Sequence, residues 1–226
     1  MTTSHGTPTL SAVQGIACAS FVDALGHFYD HRVHILDLVS PTPTRPLFGP
    51  AATIEFLPYR QDREEVNAAG FASWFYRAVG DEPAGKVLVM SSGGHPGVSH
   101  GGGTKLSRAH NNGLAGLLTD GRLRDFGQLA DYSFSTWCGG EATRWGGDVV
   151  TPAAANVPVE IGGVCVLPGD YLYADSAGAV VIPAARVWEV IAEARKIERE
   201  EDGALVGIRE EDPVSLRSTQ STHDER

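Results

Sequence analysis

Two short apolar runs, joined by a glycine-rich loop and a helical stretch, constrain this chain more than any other feature. Val87-Leu88-Val89-Met90 has the length and continuity of a buried strand, and it empties into the loop from Ser91 to Gly103. Thr104 to Asn112 reads as a helix stopped by Asn112-Gly113, and Leu114 to Thr119 is the next strand. That strand delivers the charged turn Asp120-Gly121-Arg122-Leu123-Arg124-Asp125 at its C-terminal end. A loop rich in backbone N–H groups, facing a fixed arginine and a carboxylate, suits a small anionic substrate. An enzyme is therefore the first reading.

The remaining elements follow from periodicity and turn chemistry. Ile16 to Phe28 places Phe21, Ala24, Leu25 and Phe28 on one helical face. Ala51 to Leu57 is a strand closed by Pro58, and Asp62 to Val79 a helix carrying Val66, Phe71, Trp74, Phe75 and Val79. Val157 to Val166 reads as a strand pair around Gly162-Gly163. Tyr171 to Ala174 and Ala179 to Ile182 flank the turn Asp175-Ser176-Ala177-Gly178, and Ala184 to Glu200 is a long amphipathic helix. Short strands and tight turns mixed with helices give the α/β class without a strict βαβ rhythm. Residues 11–211 read as a single domain, with 1–10 and 212–226 as flexible ends.

Charge and composition remove several functions. With 226 residues, 42% of them hydrophobic, the chain can bury a substantial core. A net charge of −10 and the lack of any long basic run argue against nucleic acid as a partner. No apolar run approaches a membrane span, and MTTSHGTPTL lacks the basic and apolar parts of a signal peptide, so the expectation is a cytoplasmic protein. Cys18, Cys138 and Cys165 have no metal-ligand spacing and are expected as buried free thiols.

Within the central segment, Arg124 can grip a carboxylate through two parallel hydrogen bonds. Asp125 can hold a hard divalent cation or orient the arginine. Gly102, Gly103, Thr104 and Lys105 open a helix whose free N–H groups can bind a carboxylate or enolate oxygen. His95 and His100 are candidate acid/base groups, whereas His95, His100 and His110 together fit no compact zinc motif. His110 is expected on a helix surface, and His27, His31 and His34 are spaced closely enough to share a helix face.

These residues resemble the family of RraA-type proteins and 4-hydroxy-4-methyl-2-oxoglutarate aldolases. Four blocks over roughly residues 16–200 carry the likeness: Phe21 to Leu25, Phe48 to Ala51, Gly113 to Asp125 with its DG-x-x-RD ending, and Val164 to Asp170 continuing through Ala174 to Pro183. The resemblance implies a compact swivelling β/β/α domain assembled as a homotrimer or dimer of trimers. It implies that Arg124 binds the carboxylate of a pyruvate-like product and that Asp125 anchors Mg²⁺ or Mn²⁺ mostly through water. It also implies that the Gly102 to Lys105 backbone holds the substrate. The activity would be retro-aldol cleavage or decarboxylation of a small 2-oxo or hydroxy carboxylic acid through a metal-stabilised enolate.

Three departures keep other readings open. Enzymatic members carry an acid before the RD pair with twenty residues between; here that position is Gly103. The aspartate that usually follows the earlier glycine run is replaced near His95. The segment from Ser133 to Gly147, with Trp137, Glu141, Arg144 and Trp145, also departs from the family's short run. A metal-free enzyme using histidine acid/base chemistry and a non-catalytic, protein-binding regulator are the alternatives.

Overall fold

A computed structural model describes residues 6–212; residues 1–5 and 213–226, where most of the two expected flexible ends fall, lie outside the described residues. The chain opens with helix α1 (Cys18–Gly26), the two-residue strand β1 (His34–Ile35) and the long strand β2 (Leu47–Pro58). Helix α2 (Glu64–Val79), strand β3 (Val87–Met90), strand β4 (Ser99–Gly101) and helix α3 (Gly103–Asn111) follow. Next come β5 (Gly116–Thr119), β6 (Arg122–Leu123), helix α4 (Phe126–Asp131), β7 (Ser135–Trp137) and β8 (Val150–Ala155). The C-terminal part holds β9 (Val159–Ile161), β10 (Val164–Val166), β11 (Tyr171–Asp175), β12 (Gly178–Ile182) and helix α5 (Val187–Arg209).

One mixed sheet organises the molecule, in the order β1-β12-β11-β2-β3-β5-β7, with β8 paired to β2 off that path. Strand β2 is the pivot. Its first residues pair antiparallel with β11, Ala51 to Ile54 pair parallel with β3, and Ile54 to Pro58 pair antiparallel with β8 across a bulge at Glu55/Phe56. Strands β3, β5 and β7 run parallel to one another. All of β3 is buried, as expected for a strand covered on both faces. Leu88 and Met90 join Phe75 and Leu106 on one side, while Val87 and Val89 join Leu172 and Val181 on the other. Truncating Leu88, Met90, Leu106 or Leu172 to alanine would cost about 2–5 kcal/mol, because the packed neighbours cannot close the void.

Helices complete the layers. Helix α2 buries Phe71, Trp74, Phe75, Ala78 and Val79, a stripe at helical spacing, although Gly70 breaks the helix with φ 63°. Helices α1 and α5 pack on each other and on β11 and β12 through Phe21, Leu25, Val190 and Ile191. No helix among the described residues is long and apolar enough to cross a membrane.

Two expectations are corrected. Helix α1 ends at Gly26, so His27 caps it and pairs with Glu193 while His34 lies on β1; the three histidines share no helix face. Cys165 is exposed, unlike Cys18 and Cys138, because alternation along the two-stranded ribbon of β9 and β10 turns it outward opposite Glu160.

Candidate active site

Parallel strands leave their helix-connected loops at one end, and small-ligand sites in α/β sheets gather at those carboxyl ends. The carboxyl end of β3 leads into Ser91-Ser92, and that of β5 into Asp120. Asp120 ties the two together: the Ser92 N–H donates to its Oδ1 at 2.7 Å and the Ser92 hydroxyl to its Oδ2 at 2.9 Å. Burial raises the Asp120 carboxyl above the ordinary aspartate value, against the lowering effect of these two donors.

Beyond this tie the loops pair as the short parallel ribbon β4/β6. The Arg124 N–H donates to the Gly101 carbonyl at 2.9 Å, which fixes Arg124 and Asp125 against the start of α3. Asp125 adopts the left-handed conformation, φ 64° and ψ 47°, a region that aspartate tolerates better than most residues. There its Oδ2 accepts the Gly103 N–H at 3.0 Å, so the carboxylate caps α3 from a different segment. Gly102 makes this approach feasible: a Cβ there would lie 2.6 Å from Asp125 Oδ2. Glu141 serves α4 in the same way, its Oε1 accepting the Phe126 N–H at 3.0 Å.

An open cleft of about 270 Å³ results, lined by Ser99, Gly101, Gly102, Thr104, Lys105, Arg124, Asp125 and Trp145. Arg124, Asp125, Gly102, Thr104 and Lys105 are therefore brought together, while Gly103 reaches the site through its N–H to Asp125. Lys105 is exposed as a residue, yet its ammonium sits 5.7 Å from the centre of the Phe71 ring. Desolvation, with the Arg108 charge as a second cause, holds that ammonium below the usual lysine value. No salt bridge within 4.0 Å is formed by Arg124 or Lys105 among the described residues. The cleft thus presents two cations, one carboxylate and the start of a helix, a setting for an anion.

The histidines stand elsewhere. His100 is buried, with Nδ1 3.0 Å from the Val98 carbonyl and Nε2 3.0 Å from the Ser92 carbonyl, and burial lowers its pKa. It does not line the Arg124 cleft, and both nitrogens face backbone carbonyls, of which the neutral ring can donate to one. His95 lies in the preceding turn, its N–H donating to the Ser92 carbonyl, and is also absent from the cleft wall. His110 is exposed at the end of α3, stacked on Tyr132 and bonded to Ser133. Burial pushes the Cys138 thiol up to about 11 and the Cys18 thiol up to about 12, so neither supplies a thiolate nucleophile near neutrality.

Two further residues belong to the site. Trp145, from the 133–147 segment, is bridged to Ser99 and forms a cleft wall; the same segment is bridged to Leu123 through Glu141. Gln128 fills the space beside Gly103: a Cβ on Gly103 would lie 2.0 Å from its Oε1. Its Nε2 donates to the Tyr132 hydroxyl at 2.8 Å, which donates to the Gly103 carbonyl at 2.9 Å. Only its place one turn into α4 could have flagged Gln128 in the sequence.

The RraA-like family model, described as Aldolase/RraA, matches residues 18–181. Protein DlpA of Legionella pneumophila is 30% identical over 145 residues, 64% of this chain, which spans only 23% of DlpA's length. A candidate 4-hydroxy-4-methyl-2-oxoglutarate aldolase of Burkholderia mallei is 30% identical over 137 residues, covering 61% of this chain and 75% of that protein. The solved structure of RraAS2 from Streptomyces coelicolor, described as an unusual member of the RNase ES inhibitor RraA family, superposes with a TM-score of 0.74 at 27% identity. That match covers 87% of this chain and 96% of RraAS2. The chain belongs to the RraA-like family.

Proposed function

We propose that the cleft binds a small 2-oxo or hydroxy carboxylic acid and that the protein is a carbon–carbon lyase acting through a pyruvate-like enolate. One observation carries this reading: Arg124 and Lys105 face the same cleft as the start of α3, and neither cation is neutralised by a salt bridge among the described residues. Arg124 takes the substrate carboxylate with its planar pair of donors. Lys105 and the N-terminus of α3 lower the energy of negative charge that grows on the adjacent oxygen as the bond breaks. The name of the Burkholderia relative, an aldolase, points the same way.

Among the described residues no group of three histidine, cysteine or acidic side chains is arranged to hold a metal ion. Asp125 alone offers a carboxylate to the cleft, with Oδ2 engaged by Gly103. Such a donor set suits Mg²⁺ or Mn²⁺, which keep much of their water and share substrate oxygens, and does not suit zinc. Asp125 Oδ1 would hold the ion, which when bound would supply electrophilic stabilisation of the enolate. A second reading, a non-catalytic protein-binding regulator, draws on Gly103 in place of an acid and on the RraAS2 likeness.

Oxalate, a planar mimic of enolpyruvate, tests the site. It should bind the wild-type protein and lose roughly 100-fold in affinity with Arg124→Ala, the scale expected when a charged hydrogen-bonding partner is removed. Equal binding by both proteins would remove Arg124 from the site.

A further inference from the structure

The 270 Å³ cleft does not end at Trp145. A second compartment of about 250 Å³ adjoins it, and the two share Ser99, Lys105 and Trp145 on their walls. Each alone lies below the roughly 300–1,000 Å³ usual for small-molecule sites, whereas together they fall inside that range. The two differ in the charge on their walls. The first has Arg124, Asp125 and the start of α3; the second is walled by Phe56, Phe71, Tyr59 and Trp145, with Asn67 and Thr151 as uncharged polar members.

No acidic residue lines the second compartment, and Lys105, at the shared edge, is the one charged residue on its wall among the described residues. His100 also borders it, with both ring nitrogens turned to the Ser92 and Val98 carbonyls at 3.0 Å. The break in α2 at Gly70 falls on the same wall, and nothing lies within 4 Å of where a Cβ would sit there. A second carboxylate on the substrate would meet one lysine and no other charged group on this wall among the described residues. An aryl or branched apolar group would meet the faces of Phe56, Tyr59, Phe71 and Trp145, with Asn67 and Thr151 as polar members of the wall.

We infer that the substrate of this protein carries an aryl or bulky apolar substituent distal to its carboxylate, seated in the compartment formed by Phe56, Tyr59, Phe71 and Trp145. The inference rests on the carboxylate reading of the Arg124 cleft and adds the identity of the substrate's other end. Charge recognition falls to the Arg-Asp turn, and bulk recognition to the end of β2, helix α2 and Trp145.

Titration calorimetry with pyruvate, oxaloacetate and phenylpyruvate tests it on the full chain, with wild type, Arg124→Ala, Tyr59→Ala and Trp145→Ala. All three acids should require Arg124. Phenylpyruvate should bind about tenfold or more tighter than pyruvate, from burial of one aromatic ring. That ratio should fall toward one in Tyr59→Ala and in Trp145→Ala, both at exposed side chains whose loss leaves the core intact. Phenylpyruvate binding no tighter than pyruvate, or weaker than oxaloacetate, would overturn the apolar-tail assignment while Arg124-dependent pyruvate binding left the carboxylate site standing. Absence of Arg124-dependent binding by all three would overturn both.

Discussion

Asp125 has two duties that substitution can separate. Its backbone sits in the left-handed region, and its carboxylate accepts the Gly103 N–H at 3.0 Å at the start of the nine-residue helix α3. Asp125→Ala removes the helix-start acceptor, worth about 1 kcal/mol. It also removes a negative charge beside the helix N-terminus, worth about 0.5 kcal/mol. Placing alanine in the left-handed region adds about 1 kcal/mol. The expected loss is about 2–3 kcal/mol, or roughly 5–10 °C in Tm for a chain of this size. Asp125→Asn keeps an oxygen acceptor and a residue at ease in that conformation, so it should lose only the charge contribution, roughly 1–2 °C. Both variants should equally lose any response to Mg²⁺ or Mn²⁺. Thermal unfolding of the two, with metal titration alongside, reads the separation directly. Equal destabilisation by Asn and Ala would refute the cap geometry, and a full metal response in Asp125→Asn would refute the assigned anchor.

The other expectations concern neighbouring groups. Lys105 is held below the usual lysine value of about 10.4, so oxalate affinity should decline as the pH climbs through its lowered pKa. Lys105→Met should lack that alkaline limb, and an identical profile would exclude the lysine from anion binding. Burial depresses the His100 pKa, so the folded chain binds fewer protons than the unfolded one. Its contribution is complete above about pH 6.5 and is lost as the pH falls below that value. Urea midpoints between pH 5 and 8 should slope less in His100→Gln than in wild type. Gly103→Glu should strengthen Mg²⁺ binding only once Gln128 yields its place, so Gly103→Glu with Gln128→Ala should bind the ion more tightly than Gly103→Glu alone in calorimetry. Equal affinities would mean that Gln128 does not obstruct the position.

Much of this arrangement could be read from local sequence, and the remainder depends on tertiary pairing. Val87–Met90 is a strand with the bounds its apolar run predicts, and α3 begins within one residue of the expected start because glycine and asparagine mark both of its ends. Strand β7 carries no sequence signal because three residues, Ser135 to Trp137, have no period, and β8 carries none because Pro152 and a run of alanines look like a loop until β2 pairs with them. Helix α5 continues nine residues beyond Glu200 as an exposed segment in which Leu205, Val206 and Ile208 face solvent instead of forming the core-facing stripe of its beginning. In the site, the Arg-Asp turn was recognisable but its orientation was not, since a left-handed residue breaks strand alternation at Asp125. Trp145 and Gln128 reach the site through a bridge to Ser99 and a contact across α3 and α4, pairings that sequence distance conceals.

Pyruvate release is the most direct test of the central claim. Metal-stripped protein should be incubated with oxaloacetate and with 4-hydroxy-4-methyl-2-oxoglutarate, with and without Mg²⁺ or Mn²⁺, beside the Arg124→Ala variant. The account predicts pyruvate formation that depends on added metal and disappears with Arg124→Ala. Pyruvate formed equally by the variant, or formed without added metal, would contradict it.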